Sequence, residues 1–156
     1  MEEIKIRNML QEDIPQVCEI ENASFSIPWS EKSFEESLSL PHAIFLVAQM
    51  DEKIIGYCGL YQVFGEGDVT NIAVHPDFRG KGAGKKLLAG MEMTAAQRGI
   101  ADITLEVRES NAAAIRLYEK NGFEKIGTRK NFYDKPRENA IIMWKRGISD
   151  VQQQEW

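Results

Sequence analysis

Cysteine is scarce in this chain, and the two present, Cys18 and Cys58, cannot build a disulfide framework. Neither sits in a Cys-x-x-Cys or Cys-His pattern, and their apolar flanks read as buried free thiols. Histidine is equally sparse: His42 and His75 leave little material for a zinc site, and no metal is expected. No apolar run approaches the roughly 20 residues that a membrane-spanning helix needs. The first residues, Met1-Glu2-Glu3-Ile4-Lys5, are acidic and carry no apolar stretch, unlike a signal peptide. The expectation is a cytoplasmic protein without a membrane partner. Positive charge is also in deficit, with 19 Lys and Arg against 24 Asp and Glu and a net charge of −5. That argues against direct nucleic-acid binding, which favours a basic face.

What is present suits one packed domain. At 156 residues, with 43% hydrophobic and 28% charged side chains, the chain can bury a core without metal or disulfide staples. It carries no internal repeat and no Ser/Pro-rich linker, so one domain is expected over residues 1–148, with a frayed tail at 149–156. Ile4 and Ile6 alternate with charges as in a strand, and Ile14, Val17, Cys18 and Ile20 follow a helical spacing over Asp13 to Asn22. Ser30-Glu31-Lys32-Ser33 opens a second helix that ends before Pro41. Ala43–Gln49 and Lys53–Val63 read as a strand pair turning at Asp51-Glu52, and Gly65-Glu66-Gly67-Asp68 reads as the next turn. A helix over Gly82 to Arg98 presents Ala83, Leu87, Leu88, Met91 and Ala95 on one stripe, and Gly99 stops it. Ile103, Leu105 and Val107 alternate with Thr104, Glu106 and Arg108. Asn111 caps a helix that Asn121-Gly122 closes. Phe123–Lys130 and Asn139–Lys145 form a last strand pair around a polar loop. The order β-α-α-β-β-β-α-β-α-β-β predicts an α/β three-layer sandwich on a mixed, mostly antiparallel sheet.

The densest signal is Val74-His75-Pro76-Asp77-Phe78-Arg79-Gly80-Lys81-Gly82-Ala83-Gly84-Lys85-Lys86. An apolar strand ends at a proline turn, and a loop with three glycines runs straight into a helix. Glycines let successive N–H groups turn inward, and the helix start adds unpaired donors and partial positive charge. This is a place to hold phosphate. A P-loop would need Gly in place of Lys85 and a following Ser or Thr, and a dinucleotide fingerprint would need Gly at Lys85 or Leu87. Neither fits.

What remains, Arg79-x-x-Gly82-x-Gly84, resembles the (Gln/Arg)-x-x-Gly-x-(Gly/Ala) loop of the GNAT superfamily of N-acetyltransferases. The resemblance continues through Leu105-Glu106-Val107-Arg108-Glu109-Ser110-Asn111, Leu117-Tyr118-Glu119-Lys120-Asn121-Gly122-Phe123 and Pro28-Trp29-Ser30-Glu31-Lys32-Ser33-Phe34. These are similar to the bacterial RimI-type ribosomal-protein-alanine N-acetyltransferases, and the match covers nearly the whole chain. The resemblance implies direct acetyl transfer from acetyl-CoA to the N-terminal alanine of a small-subunit ribosomal protein, number eighteen. It implies pyrophosphate held by Arg79, Gly80, Lys81, Gly82, Ala83, Gly84 and Lys85. The main chain of Ile72, Ala73 and Val74, with Asn111, would hold the rest of acetyl-CoA. Glu106 would be the general base and Tyr118 the general acid, with Trp29 and Tyr133 flanking the acceptor groove. Asn139 stands where the subfamily usually carries an acid.

Without that resemblance, Glu106 reads better as a solvated strand residue, and Tyr118 reads as readily as a packing aromatic and Asn111 as a helix cap. Other acceptors (lysine, broader protein N-termini, small amines) and a non-catalytic CoA-binding module remain open, and oligomeric state is not encoded in any motif.

Overall fold

The computed structural model describes residues 3–148, so the expected tail at 149–156 lies outside the described residues. Strand β1 (Ile4–Asn8) is followed by a 3-10 turn over Gln11–Asp13 and helix α1 (Ile14–Ser24), with Pro15 in the first turn, where no N–H is needed. Helix α2 (Glu31–Leu38) opens at Ser30, whose hydroxyl accepts the Ser33 N–H at 3.1 Å. Strands β2 (Ala43–Met50), β3 (Lys53–Val63) and β4 (Glu66–Val74) form a meander. Helix α3 (Ala83–Gln97), strand β5 (Asp102–Arg108) and helix α4 (Ala112–Lys120) follow. Strands β6 (Glu124–Tyr133) and β7 (Glu138–Lys145) close the order.

The seven strands make one sheet, β1-β2-β3-β4-β5-β7-β6. Every neighbouring pair is antiparallel except β4 with β5. The expected three-layer sandwich is therefore the observed one. Helix α3 packs across β1 to β4 on one face, while α1 and α2 cover β2, β3 and β4 on the other. The period-two rule is visible within β2. Ile44, Leu46 and Ala48 join the core under α3, and Phe45 and Val47 join the core under α1 and α2. Leu87, Leu88 and Met91 of α3 are fully buried, and each stabilises the fold by about 1.5–3 kcal/mol through leaving water.

Three expectations need correction. The turn after β3 is not Gly65 to Asp68 but the two residues Phe64-Gly65, with Phe64 at φ 58°, and β4 already begins at Glu66. Gly67 is a strand residue paired with Gln62, and a Cβ there would stand 2.8 Å from Leu60 Cδ1, so its glycine serves close packing rather than turning. The last strand pair is longer than expected. An irregularity between Arg129 and Tyr133 interrupts the ladder, but the strands pair once more at Tyr133–Glu138, leaving only residues 134–137 as the connection. Asn131, at φ 56°, donates its N–H to the Asn139 side-chain oxygen at 2.9 Å, which gives Asn139 a structural task in that irregularity. Finally, both cysteines are free, but only Cys58 is buried; Cys18 is half-buried at the side of α1.

Candidate active site

The site is an opening in the sheet itself. Strands β4 and β5 pair only at Glu66–Asp102, Gly67–Ile103 and Asp68–Thr104, and then part. Immediately beyond, β4 carries a bulge: Val69 faces Leu60 and Asn71 faces Gly59, leaving Thr70 as the extra residue. A bulge bends and twists its strand, and here it turns β4 away while β5 stays paired with β7 as far as Arg108–Ala140. Past the bulge, Ile72, Ala73 and Val74 pair only with Cys58, Tyr57 and Gly56 of β3. Alternate residues of that stretch therefore turn unpartnered main-chain groups toward the gap. A cavity of about 570 Å³ fills it.

Six of the predicted site residues line this cavity: Trp29, Ile72, Glu106, Asn111, Tyr118 and Tyr133. They reach it from different layers. Leu105 and Val107 of β5 point into the core beneath α3 and α4, so Glu106 lies on the opposite face, the side of α1 and α2. Tyr118 comes from α4 and belongs to the core that Glu106 faces away from. The carboxylate and the phenol thus meet one cavity from the two faces of a split sheet. Asn111 also caps α4, accepting the Ala114 N–H at 3.2 Å, and a cap at this point still lines the cavity.

The glycine loop does not line the cavity. It lies past the end of β4, beyond the 3-10 turn Pro76–Phe78. Gly80 and Gly82 have φ of 82° and 86°, and a Cβ at either would meet nothing within 4 Å. The loop is therefore open where a ligand would approach. Lys86 N–H donates to Gly82 O at 3.1 Å, so the N–H groups of Ala83, Gly84 and Lys85 head the helix with no preceding turn to accept them. Arg79 Nε donates back to Val74 O at 3.4 Å. Among the described residues, no ion pair involves Arg79, Lys81, Lys85 or Lys86. Gly84 differs from the other two: a Cβ there would stand 3.0 Å from Leu117 Cδ2, so its small size serves the contact between α3 and α4.

Burial lifts the Glu106 carboxyl above the ordinary glutamate value; Arg129 opposes this and Asp68 adds to it. Arg129 Nε lies 3.6 Å from Glu106 Oε1. Burial likewise pushes the Tyr118 phenol well above the usual range, with Tyr133 and Cys58 adding to the shift. Tyr118 therefore stays neutral and keeps its O–H as a donor. Tyr133 is pushed up to about 12, by burial first and then by the Glu106 charge. A carboxylate able to take a proton and a phenol able to donate one face a common space.

Residues 14–123 match the Acetyltransferase (GNAT) family. The chain belongs to the GNAT acetyltransferase family. A Bacillus subtilis (strain 168) relative is 41% identical over 140 residues, covering 89% of this chain and 93% of its own. The [ribosomal protein bS18]-alanine N-acetyltransferase of Escherichia coli (strain K12) is 39% identical over 133 residues, covering 84% and 89%. The crystal structure of the ribosomal-protein-S18-alanine N-acetyltransferase from Escherichia coli superposes with a TM-score of 0.85 at 35% identity, covering 92% of this chain and 94% of that one. The protein is an acyltransferase, with the fold and family that the loop and flanking motifs predicted.

The candidate site of this acetyltransferase contains a residue that the sequence did not single out. Glu21 of α1 is 2% exposed and lines the cavity. Its Oε2 accepts the Trp29 N–H at 2.8 Å, and its Oε1 accepts the hydroxyl of the fully buried Tyr57. Burial, and then the Glu21 charge, keep that phenol protonated. The carboxylate ties the loop between α1 and α2 to β3 and so sets one wall of the cavity. A signal existed: Glu21 continues the stripe Ile14, Val17 at helical spacing, and a charge on a buried stripe is seldom idle. Phe25 and Ile27 are exposed at the same mouth, just beyond the end of α1.

Proposed function

We propose that this acetyltransferase moves an acetyl group from acetyl-CoA to the N-terminal alanine of ribosomal protein bS18, through a single domain over residues 1–148. The observation that carries the reading is the split between β4 and β5, which brings Glu106 and Tyr118 to one cavity from opposite faces of the sheet. Two-sided access suits a reaction between two bulky substrates. The acceptor enters beside the Trp29 loop and Tyr133, on the Glu106 face. Acetyl-CoA lies along β4 on the other face, its pyrophosphate at the open glycine loop, where Gly80 and Gly82 leave room for close main-chain approach. Lys81 and Lys85, with Arg79, add positive charge there. Main-chain groups along Ile72, Ala73 and Val74 that turn away from β3 hold the pantetheine arm, and Asn111 adds a contact from the end of β5.

Acetyl-CoA supplies the acetyl group as an activated thioester. Glu106 accepts the proton that the acceptor amine loses, directly or through water. An α-amine, with an intrinsic pKa of about 7.7–8.0 against about 10.4 for lysine, asks little of such a base near neutral pH. Tyr118 offers its O–H to the departing sulfur. Burial makes it a weaker acid than free tyrosine, so it acts by donating a hydrogen bond as charge develops, with full transfer only as the C–S bond breaks.

The test uses two peptides and intact-mass detection. One begins with the free alanine of bS18; the other is blocked at its N-terminus and carries an internal lysine. Acetylation of the first alone is expected. Equal acetylation of the blocked peptide would replace the N-terminal acceptor with lysine.

A further inference from the structure

Arg108 follows Glu106 by two residues on β5 and shares its face. It lines the cavity, and its guanidinium is committed to hydrogen bonds with the segment that follows β6. Nη1 donates to Pro136 O at 2.9 Å and to Glu138 Oε2 at 3.1 Å, and Nη2 donates to Asp134 O at 2.9 Å. The same plane stacks on Tyr133, with its central carbon 4.5 Å from the ring centroid. All four contacts fall on one short segment, the tip joining β6 to β7. Glu138 completes the clasp by accepting the Ser110 N–H on its Oε1 at 2.5 Å.

The tip needs such a clasp. Between Arg129–Ala140 and Tyr133–Glu138 the β6–β7 register shifts, so beyond the irregularity a single residue pair ties the two strands. The tip nevertheless forms a wall of the cavity from Phe132 to Pro136. A wall held by one pair would be mobile, and an acceptor would have to order it on binding.

We propose that Arg108 is a positioning residue for the acceptor, holding the β6–β7 tip and Tyr133 in place before the acceptor arrives. This rests on the reading of that groove as the acceptor side. Arginine is required for its geometry rather than its charge. A planar fork meets two carbonyls and a carboxylate at once and stacks on the tyrosine ring, whereas lysine offers one compact ammonium. Arg108 does not itself take part in proton transfer, since its terminal nitrogens are engaged with the tip.

Arg108→Lys and Arg108→Gln test this with three readouts: acceptor kinetics, acetyl-CoA affinity by calorimetry, and tryptic cleavage after Arg137 in the full chain. Both variants should lose about 10–100-fold in kcat/KM for the acceptor, mainly through KM, with acetyl-CoA affinity within about twofold of wild type. Cleavage after Arg137 should accelerate in both. Wild-type acceptor KM in Arg108→Lys would overturn the proposal, because charge alone would then suffice. Loss of acetyl-CoA affinity in step with acceptor affinity would overturn it in favour of a general structural defect. Unchanged cleavage alongside lost activity would overturn it too, since the tip would be holding without Arg108. Wild-type protein that acetylates neither peptide would refute the groove reading itself, and with it any acceptor role for Arg108.

Discussion

Glu106→Gln keeps the size and hydrogen-bonding reach of the side chain and removes only its ability to take a proton. General base catalysis contributes about 10²–10⁴-fold, or about 2.7–5.5 kcal/mol of barrier, so kcat/KM at neutral pH should fall by that factor. Stability should hardly change. The ion pair lost is with Arg129, at 3.6 Å with 57% of that side chain exposed, and such pairs contribute about 0–1 kcal/mol. Acetyl-CoA affinity should also hold, because the proposed contacts come from the glycine loop and β4. The pH profile supplies the sharper test. The base works only when ionised, and burial lifts the Glu106 carboxyl, so any acid limb that it sets lies above the ordinary glutamate range. Arg129 is the cation that opposes this lift; Arg129→Gln should move the limb to still higher pH. In Glu106→Gln the defect should shrink as pH rises past the acceptor amine's pKa, about 7.7–8.0, because solution then supplies the free amine. Stopped assays of acetylated peptide across pH 5.5–9.5 (a range of about four units around that value) would measure all of this. A near-normal rate at neutral pH, or a defect that does not change with pH, would refute the base assignment.

The loop glycines should separate by role. Gly82→Val forces a β-branched residue into φ 86°, at a cost of about 1–3 kcal/mol, and intrudes where phosphate approaches; acetyl-CoA affinity by calorimetry should drop about tenfold or more. Gly84→Ala sets a Cβ 3.0 Å from Leu117 Cδ2, and the contact this crowds offsets the roughly 1 kcal/mol of helix propensity gained, so stability should change by less than about 1 kcal/mol while acetyl-CoA binding is retained. Equal losses in the two variants would contradict this division. Asp13→Asn probes the fold far from the chemistry. Burial raises the Asp13 carboxyl, but hydrogen bonds from Arg7 and the Leu10 N–H outweigh it, and the net shift is downward. A carboxylate depressed in the folded state stabilises above its unfolded pKa, and that stabilisation fades as pH falls through the folded value. Urea denaturation should show a loss of about 1.5–3 kcal/mol at pH 7 that narrows below about pH 4; a gap independent of pH would refute it.

Local rules carried much of this protein. Alternation along Ile103 to Arg108, the stripe from Ala83 to Ala95, the Ser30 and Asn111 caps and the stops at Gly99 and Gly122 depend on neighbours within a few residues, so the chain displays them directly. The glycine loop is equally local, because φ above zero and a helix start are properties of a short segment. Motif resemblance then named the family, and the family match over residues 14–123 bears it out. What escaped depends on partners distant in the chain. Gly67 resembles a turn until Leu60 lies across it. Glu21 looks like a helix-surface acid until Tyr57 and the Trp29 main chain, 36 and 8 residues away, close around it. The tasks of Arg108 and Asn139 exist only because β6 folds back on β7. The split that creates the cavity arises from one extra residue in β4 set against β3 while β5 keeps β7. Register is a relation between strands, and its consequences appear only when the strands meet.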